Sequence, residues 1–410
     1  MNNFKLNNRI ISFLKENKKD IKTPLYLYDE IEIVSSIKRL KSLYPKNSKL
    51  FYSLKANPNL SIAKMFCSNN LGIEITGEGE WQKCLEVGIS TKDILCGGVA
   101  KSKDFLKRIA SESPKGIVIE SFSEWNRLKE VLLAEKFKIK FLLRVNPNVS
   151  FKGMNMALGS QFGVSIDDAK KIINESRLYD RADFLGFHFY FGSQRLKIEP
   201  IVFAMEKIEK IVLNCKNEGI QIKVVDVGLG CGIPYNNNEE NLDHIELSIF
   251  MQDFWKRECW ENIEVWGEAG RYLIASSGYF VAKVIEKKEL FNETFIFLNG
   301  GLNVHNPGLG LGRIIRTPPD FYFLTKKDSI EQTKVNIVGN LCTPSDCFAR
   351  NVSAPIIEED DFILIPNSGA YTMTSAMWGF NTQPNFYEAI FDYKGNIKMI
   401  PRQTTLKITT

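Results

Sequence analysis

Eight short, β-rich apolar runs recur along the chain up to residue 268, separated by longer stretches in which apolar residues return at helical spacing. The runs are Lys49–Leu54, Gly72–Thr76, Asp93–Gly97, Gly116–Glu120, Lys140–Asn146, Phe184–Phe189, Val224–Gly228 and Glu264–Glu268. Between them lie Leu60–Asn69, Glu78–Glu86, Lys101–Ser111, Ser123–Leu133, Asp167–Glu175 and Pro200–Asn217, with Ser123/Trp125 and Ser165/Asp168 as helix starts. Parallel neighbours need a long crossover, usually a helix. Eightfold strand–helix alternation therefore predicts an α/β fold, a closed (β/α)8 TIM-type barrel. Past Ser276 the helical period fades. Val/Ile/Phe-rich runs then stand between Gly, Pro and Asn turns: Phe280–Glu286, Thr294–Leu298, Lys334–Val338, Phe362–Ile365, Phe386–Phe391 and Ile397–Ile400. They predict a C-terminal antiparallel β domain. The segment Thr23–Tyr28, TPLYLY, alternates like a strand and is expected to pair with it. The expected organisation is a barrel over residues 30–275 and a β domain made from 1–29 with 276–410.

With 410 residues, 44% of them hydrophobic and 25% charged, the chain can bury a large core unaided, which excludes disorder, a coiled coil and a disulfide scaffold. The 53 basic and 48 acidic residues give a net charge of +5 with no block of like charge, so nothing points to nucleic acid. The start, MNNFKLNNRIISFLKENKK, lacks the apolar core of a secretory signal. The uncharged run Phe362–Tyr387 is too rich in Asn, Ser, Thr, Gly and Pro for a membrane span. Eight cysteines show no CxxC, and the three histidines form no paired motif. Free thiols, a cytoplasmic location and no metal are the expectations.

Chemistry in such a barrel sits at the C-terminal ends of the strands. There the sequence places Lys55 (FYSLKANP), Glu74, Arg144 with Asn146, His188, the glycine-rich DVGLGCGIPY, and GEAGR with Glu268, Gly270 and Arg271. A lysine pointing into a barrel mouth is desolvated and suited to a Schiff base. Gly228, Gly230 and Gly232 would let main-chain N–H groups approach a phosphate. The run is no dinucleotide fingerprint, because Ile233 stands where the last glycine is required. Each feature alone also has a plain structural explanation: a surface lysine, a tight turn, a core histidine, an ion pair between Glu268 and Arg271. Together they suit one ligand, pyridoxal phosphate. Lys55 would hold the aldehyde, the glycines and Arg271 the phosphate, His188 the ring face and Glu268 the ring nitrogen.

These motifs carry a resemblance. From TPLYLYD near residue 23 to GAYTMTSAMWGFN near 370, the chain resembles the fold type III pyridoxal-phosphate decarboxylases, the diaminopimelate, ornithine and arginine-type enzymes. YSLKANP resembles their cofactor-lysine motif, EAGR their EPGR, and GFHFYFGSQ the histidine strand whose Ser193 meets the phosphate. VGNLCTPSDCFA resembles the loop with the catalytic cysteine, here Cys342, and GAY the phosphate-binding tyrosine, here Tyr371. The resemblance implies loss of the α-carboxylate from an amino acid, Cys342 returning a proton, and a homodimer in which that thiol comes from the partner subunit. Three residues depart from the pattern: Leu229 replaces the middle glycine of GGG, Glu74 an aspartate, and Gln161 a lysine.

The residue after Cys342 is acidic in relatives that bind a distal ammonium; here it is Thr343. That disfavours free lysine, ornithine or diaminopimelate, although Asp346 could substitute. The CTPxD loop and the stretch 299–316, NGGLNVHNPGLGLGRIIR, resemble enzymes acting on carrier-protein-linked aminoacyl groups or other biosynthetic conjugates. Arg316 would then meet a substrate carboxylate. The 299–316 stretch also reads as an ordinary β-domain loop, and Cys342 as a structural thiol. Two other functions stay open at this stage: an amino-acid racemase on the same barrel, which Glu268 opposes, and a non-catalytic regulatory relative.

Overall fold

The structure, a computed structural model, describes residues 7–151, 154–156, 160–306, 318–326 and 331–401. These fall into two compact units. One holds Ile37–Gly232 and Leu242–Gly270; the other takes the residues up to Ser36, Ile233–Asn241 and those from Arg271 onward.

Strand β1 (Leu25–Asp29) comes first in the chain and belongs to the second unit. The barrel begins with β2 (Lys49–Ser53), β3 (Gly72–Ile75), β4 (Ile94–Cys96), β5 (Gly116–Ile119) and β6 (Ile139–Arg144). A short antiparallel hairpin follows, β7 (Val149–Phe151) with β8 (Met154–Met156). Then β9 (Ala182–Tyr190), β10 (Val224–Gly228) and β11 (Glu264–Ala269) complete a closed ring in the order β2-β3-β4-β5-β6-β9-β10-β11. Every neighbouring pair in the ring is parallel. All eight expected runs are strands of this ring. Phe51, Leu95, Val118, Leu142, Leu185, Val224 and Trp266 form one buried cluster. They come from seven of the eight strands, so the cluster fills the barrel and leaves polar groups to the strand ends. Each such side chain stabilises the fold by roughly 1.5–3 kcal/mol through burial.

The helices are α1 (Asn8–Glu16), α2 (Glu30–Lys41), α3 (Leu60–Ser68), α4 (Glu78–Glu86), α5 (Lys103–Ser111), α6 (Phe122–Ala134), α7 (Ile166–Ser176), α8 (Glu199–Asn217) and α9 (His244–Phe254). Serine hydroxyls start several of them. Ser102 accepts from Phe105 N–H, Ser121 from Glu124 N–H and Ser165 from Asp168 N–H. The cap of α6 is thus Ser121, two residues before the expected start, because the Ser121 oxygen reaches the orphan amide at Glu124. Helices α1, α2 and α9 lie outside the expected set. The opening of α2, EIEIV, alternates like a strand, and α9 exposes Ile245 and Ile249, which blurs its apolar face.

The second unit contains β12 (Gly278–Leu290), β13 (Glu293–Leu298), β14 (Tyr322–Leu324), β15 (Gln332–Val338), β16 (Cys347–Pro355), β17 (Phe362–Ile365), β18 (Tyr387–Phe391) and β19 (Ile397–Met399). Its sheet runs β16-β15-β13-β12-β1-β18-β19, with β17 pairing to both β12 and β14. The N-terminal strand joins this sheet as expected. Most pairs are antiparallel, but β1–β18 and β13–β15 are parallel. In both cases a long stretch of chain separates the partners, which removes the hairpin constraint that enforces antiparallel pairing. Leu25, Leu27, Val281, Phe362, Leu364 and Phe391 pack with Ile10 and Leu14 of α1 in the core of this unit.

Candidate active site

The barrel's polar residues converge at the strand ends. Lys55 stands in a short 3-10 turn (Leu54–Ala56) just past β2. Its ammonium lies 3.4 Å from a carboxylate oxygen of Glu74 on β3, which is buried. The lysine side chain itself is 44% exposed. The expectation of a desolvated lysine is therefore not met, because the turn carries Lys55 beyond the packed interior. Burial raises the Glu74 carboxyl and the Glu268 charge adds to this, while Lys55 opposes it.

His188 on β9 is buried and Glu268 on β11 half-buried, its side chain 8% exposed, with Nε2 of the imidazole 3.3 Å from a Glu268 oxygen. Between them in the ring, β10 contributes Asp226, in register with His188 on one side and Trp266 on the other. Asp226 is fully buried. Burial, foremost, and the nearby Glu268 charge push its pKa well up. Burial also acts to raise Glu268, but His188, Lys55 and Arg144 outweigh it and hold that carboxyl at about 2. The two neighbouring carboxyls are thus pushed in opposite directions. At the end of β6, Arg144 pairs with Glu120 at 2.6 Å, and Glu120 also accepts from Gly163 N–H at 2.9 Å.

The glycine-rich turn after β10 packs directly on the loop after β9. Arg195 N–H donates to Gly230 O at 3.0 Å, and Gly232 N–H to Arg195 O at 2.8 Å. Gly230 has φ +68°, and a Cβ there would lie 1.9 Å from Gly192 O, so only glycine fits. Ser193 lies half-buried on the facing loop. Gly270 closes on the start of the barrel: a Cβ there would lie 2.9 Å from Ala56 Cβ.

The other predicted residues lie in the β unit. Arg271 opens the single-turn helix α10 (Arg271–Ile274) and is buried. It donates a hydrogen bond to the Tyr235 hydroxyl, and its guanidinium lies 4.7 Å from the Tyr371 ring centre. Tyr371 has φ +66°, an unusual backbone for a tyrosine. Cys342 is exposed, with its N–H donating to Asn381 Oδ1 at 3.0 Å. The Thr343 hydroxyl is 2.9 Å from that of Ser345. Asp346, expected near substrate, is buried instead. Its two oxygens accept from Leu302 N–H at 2.8 Å and Leu341 N–H at 2.7 Å. Both oxygens are thus taken up in holding two loops of its own unit. Arg316 lies outside the described residues.

Asp226 was absent from the sequence reading, although a lone carboxylate inside VVDVG was its signal. Glu268 is a carboxylate held ionised beside His188 at the barrel end, which suits a cationic N–H donor supplied from outside the chain. Pyridoxal phosphate, with a ring nitrogen to protonate and a phosphate for the glycine turn, fits these residues. His188, Asp226 and Glu268 offer ligand atoms within 4.8 Å of one another, as a metal site would.

Comparison with known proteins gives the same chemistry. The family model described as "Pyridoxal-dependent decarboxylase, pyridoxal binding domain" matches residues 30–275. The chain is 30% identical to a diaminopimelate decarboxylase of Campylobacter jejuni, over 94% of each chain. It is 29% identical to the L-glutamyl-[BtrI acyl-carrier protein] decarboxylase of Niallia circulans, over 94% of this chain and 92% of the relative. Among solved structures, diaminopimelate decarboxylase from Helicobacter pylori complexed with L-lysine aligns with TM-score 0.82 and 27% identity, covering 94% of this chain and 95% of that one.

Proposed function

We propose, from the premise that this chain belongs to the pyridoxal-dependent decarboxylases, that it removes the α-carboxylate of an amino acid borne on a larger conjugate, a carrier-protein-linked aminoacyl group foremost. The observation that carries the catalytic assignment is the Glu268 carboxylate, held ionised at about 2 beside His188 at the barrel end. Pyridoxal phosphate, when bound, supplies the sink for the electron pair left as carbon dioxide departs. Lys55 holds the cofactor aldehyde, and Glu74 orients the lysine amine. Glu268 holds the proton on the ring nitrogen, which a charge fixed in place does without reorganisation. His188 lies against the ring. Ser193, Gly230 and Gly270, with Arg271 and Tyr371, take the phosphate. Cys342 returns a proton to the α-carbon. Residues 30–275 form the cofactor-binding barrel, and 1–29 with 276–410 the β domain that carries the thiol.

The substrate reading rests on the Cys342 loop. Its one acidic residue, Asp346, has both oxygens engaged by main-chain amides, and Thr343 offers only a hydroxyl. Neither can pair a distal ammonium. A conjugate, whose distal end is neutral or handled elsewhere, fits better, and Arg316 is assigned to a carboxylate of it. We assign a homodimer with Cys342 crossing to the partner's barrel. A thiol used in chemistry needs a reducing compartment, so the location is the cytoplasm.

The test is carbon dioxide release from a panel of free and carrier-linked amino acids, with Lys55→Ala as control. Lys55→Ala is expected to lose both the yellow colour of the purified protein and turnover. Efficient turnover of free diaminopimelate, with none of carrier-linked substrates, would overturn the substrate assignment. A variant that keeps colour and activity would overturn the role of Lys55.

A further inference from the structure

Arg195 closes the FGSQR loop after β9, one residue beyond Gln194. Its side chain has no obvious reason to be charged where it is. The residue is only 9% exposed. Guanidinium Nη1 donates to Leu229 O at 3.3 Å, and Nη2 is buried with no hydrogen-bond partner among the described residues. The ionisable groups that act on it are Tyr190 and Cys231, neither a carboxylate. Burial pushes the Cys231 thiol up to about 12, so that neighbour is neutral too. An unpaired buried cation costs several kcal/mol, and a chain keeps one where something outside it supplies the opposite charge. Burial has lowered this guanidinium to about 10, which leaves it fully charged at neutral pH.

The surroundings identify what that something is. The Arg195 main chain is bonded on both sides to the glycine turn, through Gly230 O and Gly232 N–H. A Cβ on Gly192 would lie 4.0 Å from the Arg195 Nη2. The Leu229 carbonyl that the guanidinium meets belongs to the turn itself. The cation is therefore built into the platform made by Gly192–Ser193 and Leu229–Gly230, the turn and loop assigned above to the phosphate. Phosphate is the anion class that uses such a platform together with a guanidinium.

We propose that Arg195 is a cationic component of the phosphate site in the barrel unit, compensating the 5′-phosphate of pyridoxal phosphate from beneath the glycine turn. The proposal rests on the assignment of Ser193 and Gly230 to that phosphate. It concerns a residue inside the barrel unit, separate from Arg271 of the β unit. It also accounts for a charge that the mechanism does not otherwise use.

The experiment titrates the whole chain, freed of cofactor, with pyridoxal phosphate and with pyridoxal, which has the same ring and aldehyde but no phosphate. Dissociation constants are read from tryptophan fluorescence for wild type, Arg195→Met and Arg195→Gln. The glutamine can still donate to Leu229 O, so it separates charge from loop support. A charge-assisted contact is worth roughly 1.5–3 kcal/mol, so pyridoxal phosphate binding should weaken about 10- to 100-fold in both variants. Pyridoxal binding should stay within about twofold, since uniform losses alone would report a damaged fold. Equal weakening of both ligands, or of neither, overturns the proposal. So does a variant that leaves pyridoxal phosphate untouched while losing only competition by inorganic phosphate, because the charge would then serve a different anion. A wild type that binds the two ligands equally would instead sink the assignment of the glycine turn to the phosphate.

Discussion

At the scale of single residues, the barrel end pushes two neighbouring carboxyls in opposite directions. Burial drives Asp226 up, and the Glu268 charge adds to it. Glu268 has His188 in contact and feels Lys55 and Arg144, so it stays ionised. The consequence is testable. Glu268→Gln keeps size and hydrogen-bonding capacity but loses the fixed charge, and kcat should fall by about 10²–10³ while the cofactor still binds and colours the protein. Because Glu268 is held at about 2, its own titration does not shape the acid side of a pH–rate profile near neutrality. A steady-state profile of wild type and variant that differ only in height checks this. An acid limb that vanishes in the variant would contradict it.

At the scale of elements, one buried carboxylate ties the Cys342 loop to a neighbouring loop. Asp346 takes the amides of Leu302 and Leu341, one from each of two loops. Gly301 and Gly339 lie so close that a Cβ on either would fall within 2.5 Å of a carboxylate oxygen. Asp346→Ala leaves both amides unsatisfied. With hydrogen bonds to charged groups contributing roughly 1.5–3 kcal/mol each, stability should fall by about 3–5 kcal/mol, measured by urea denaturation. The rate at which a thiol reagent labels Cys342 should change along with it, since the loop loses its anchor. An unchanged denaturation midpoint would show that the clamp is not needed. The neighbouring His305 is anchored differently, by the Tyr26 hydroxyl at 2.8 Å and by stacking on Phe280 at 4.4 Å.

At the scale of the whole molecule, that histidine gives the fold a pH dependence. Burial lowers His305 from its usual value to about 3. The unfolded chain binds a proton near the ordinary histidine value while the folded chain does not, so its contribution is present above pH ~6.5 and is lost as the pH falls toward 3. Between pH 6.5 and 5 the loss amounts to roughly 1.5 kcal/mol. His305→Phe should flatten the fall in urea stability over that interval by this amount. An identical slope in both proteins would mean that the ring is protonated when folded. The proposed dimer is also tested at this scale. Mixing inactive Lys55→Ala with inactive Cys342→Ala should restore measurable turnover if the thiol crosses subunits, and none if each chain is self-contained.

The barrel was legible because its strands are local apolar runs of a few residues, and because periodicity of 2 against 3.6 is written in consecutive positions. The β domain's use of the N-terminal strand was legible for the same reason. Residue chemistry at strand ends then carried Lys55, Glu74, His188 and Glu268, since parallel topology sends all C-terminal ends to one face. What the sequence could not supply was burial and company. Only the folded register sets Asp226 beside Glu268, leaves Arg195 without a counter-ion, and turns Asp346 from a candidate substrate contact into a loop anchor. Those outcomes depend on which groups lose water and which find partners, and such distances arise between residues far apart in the chain.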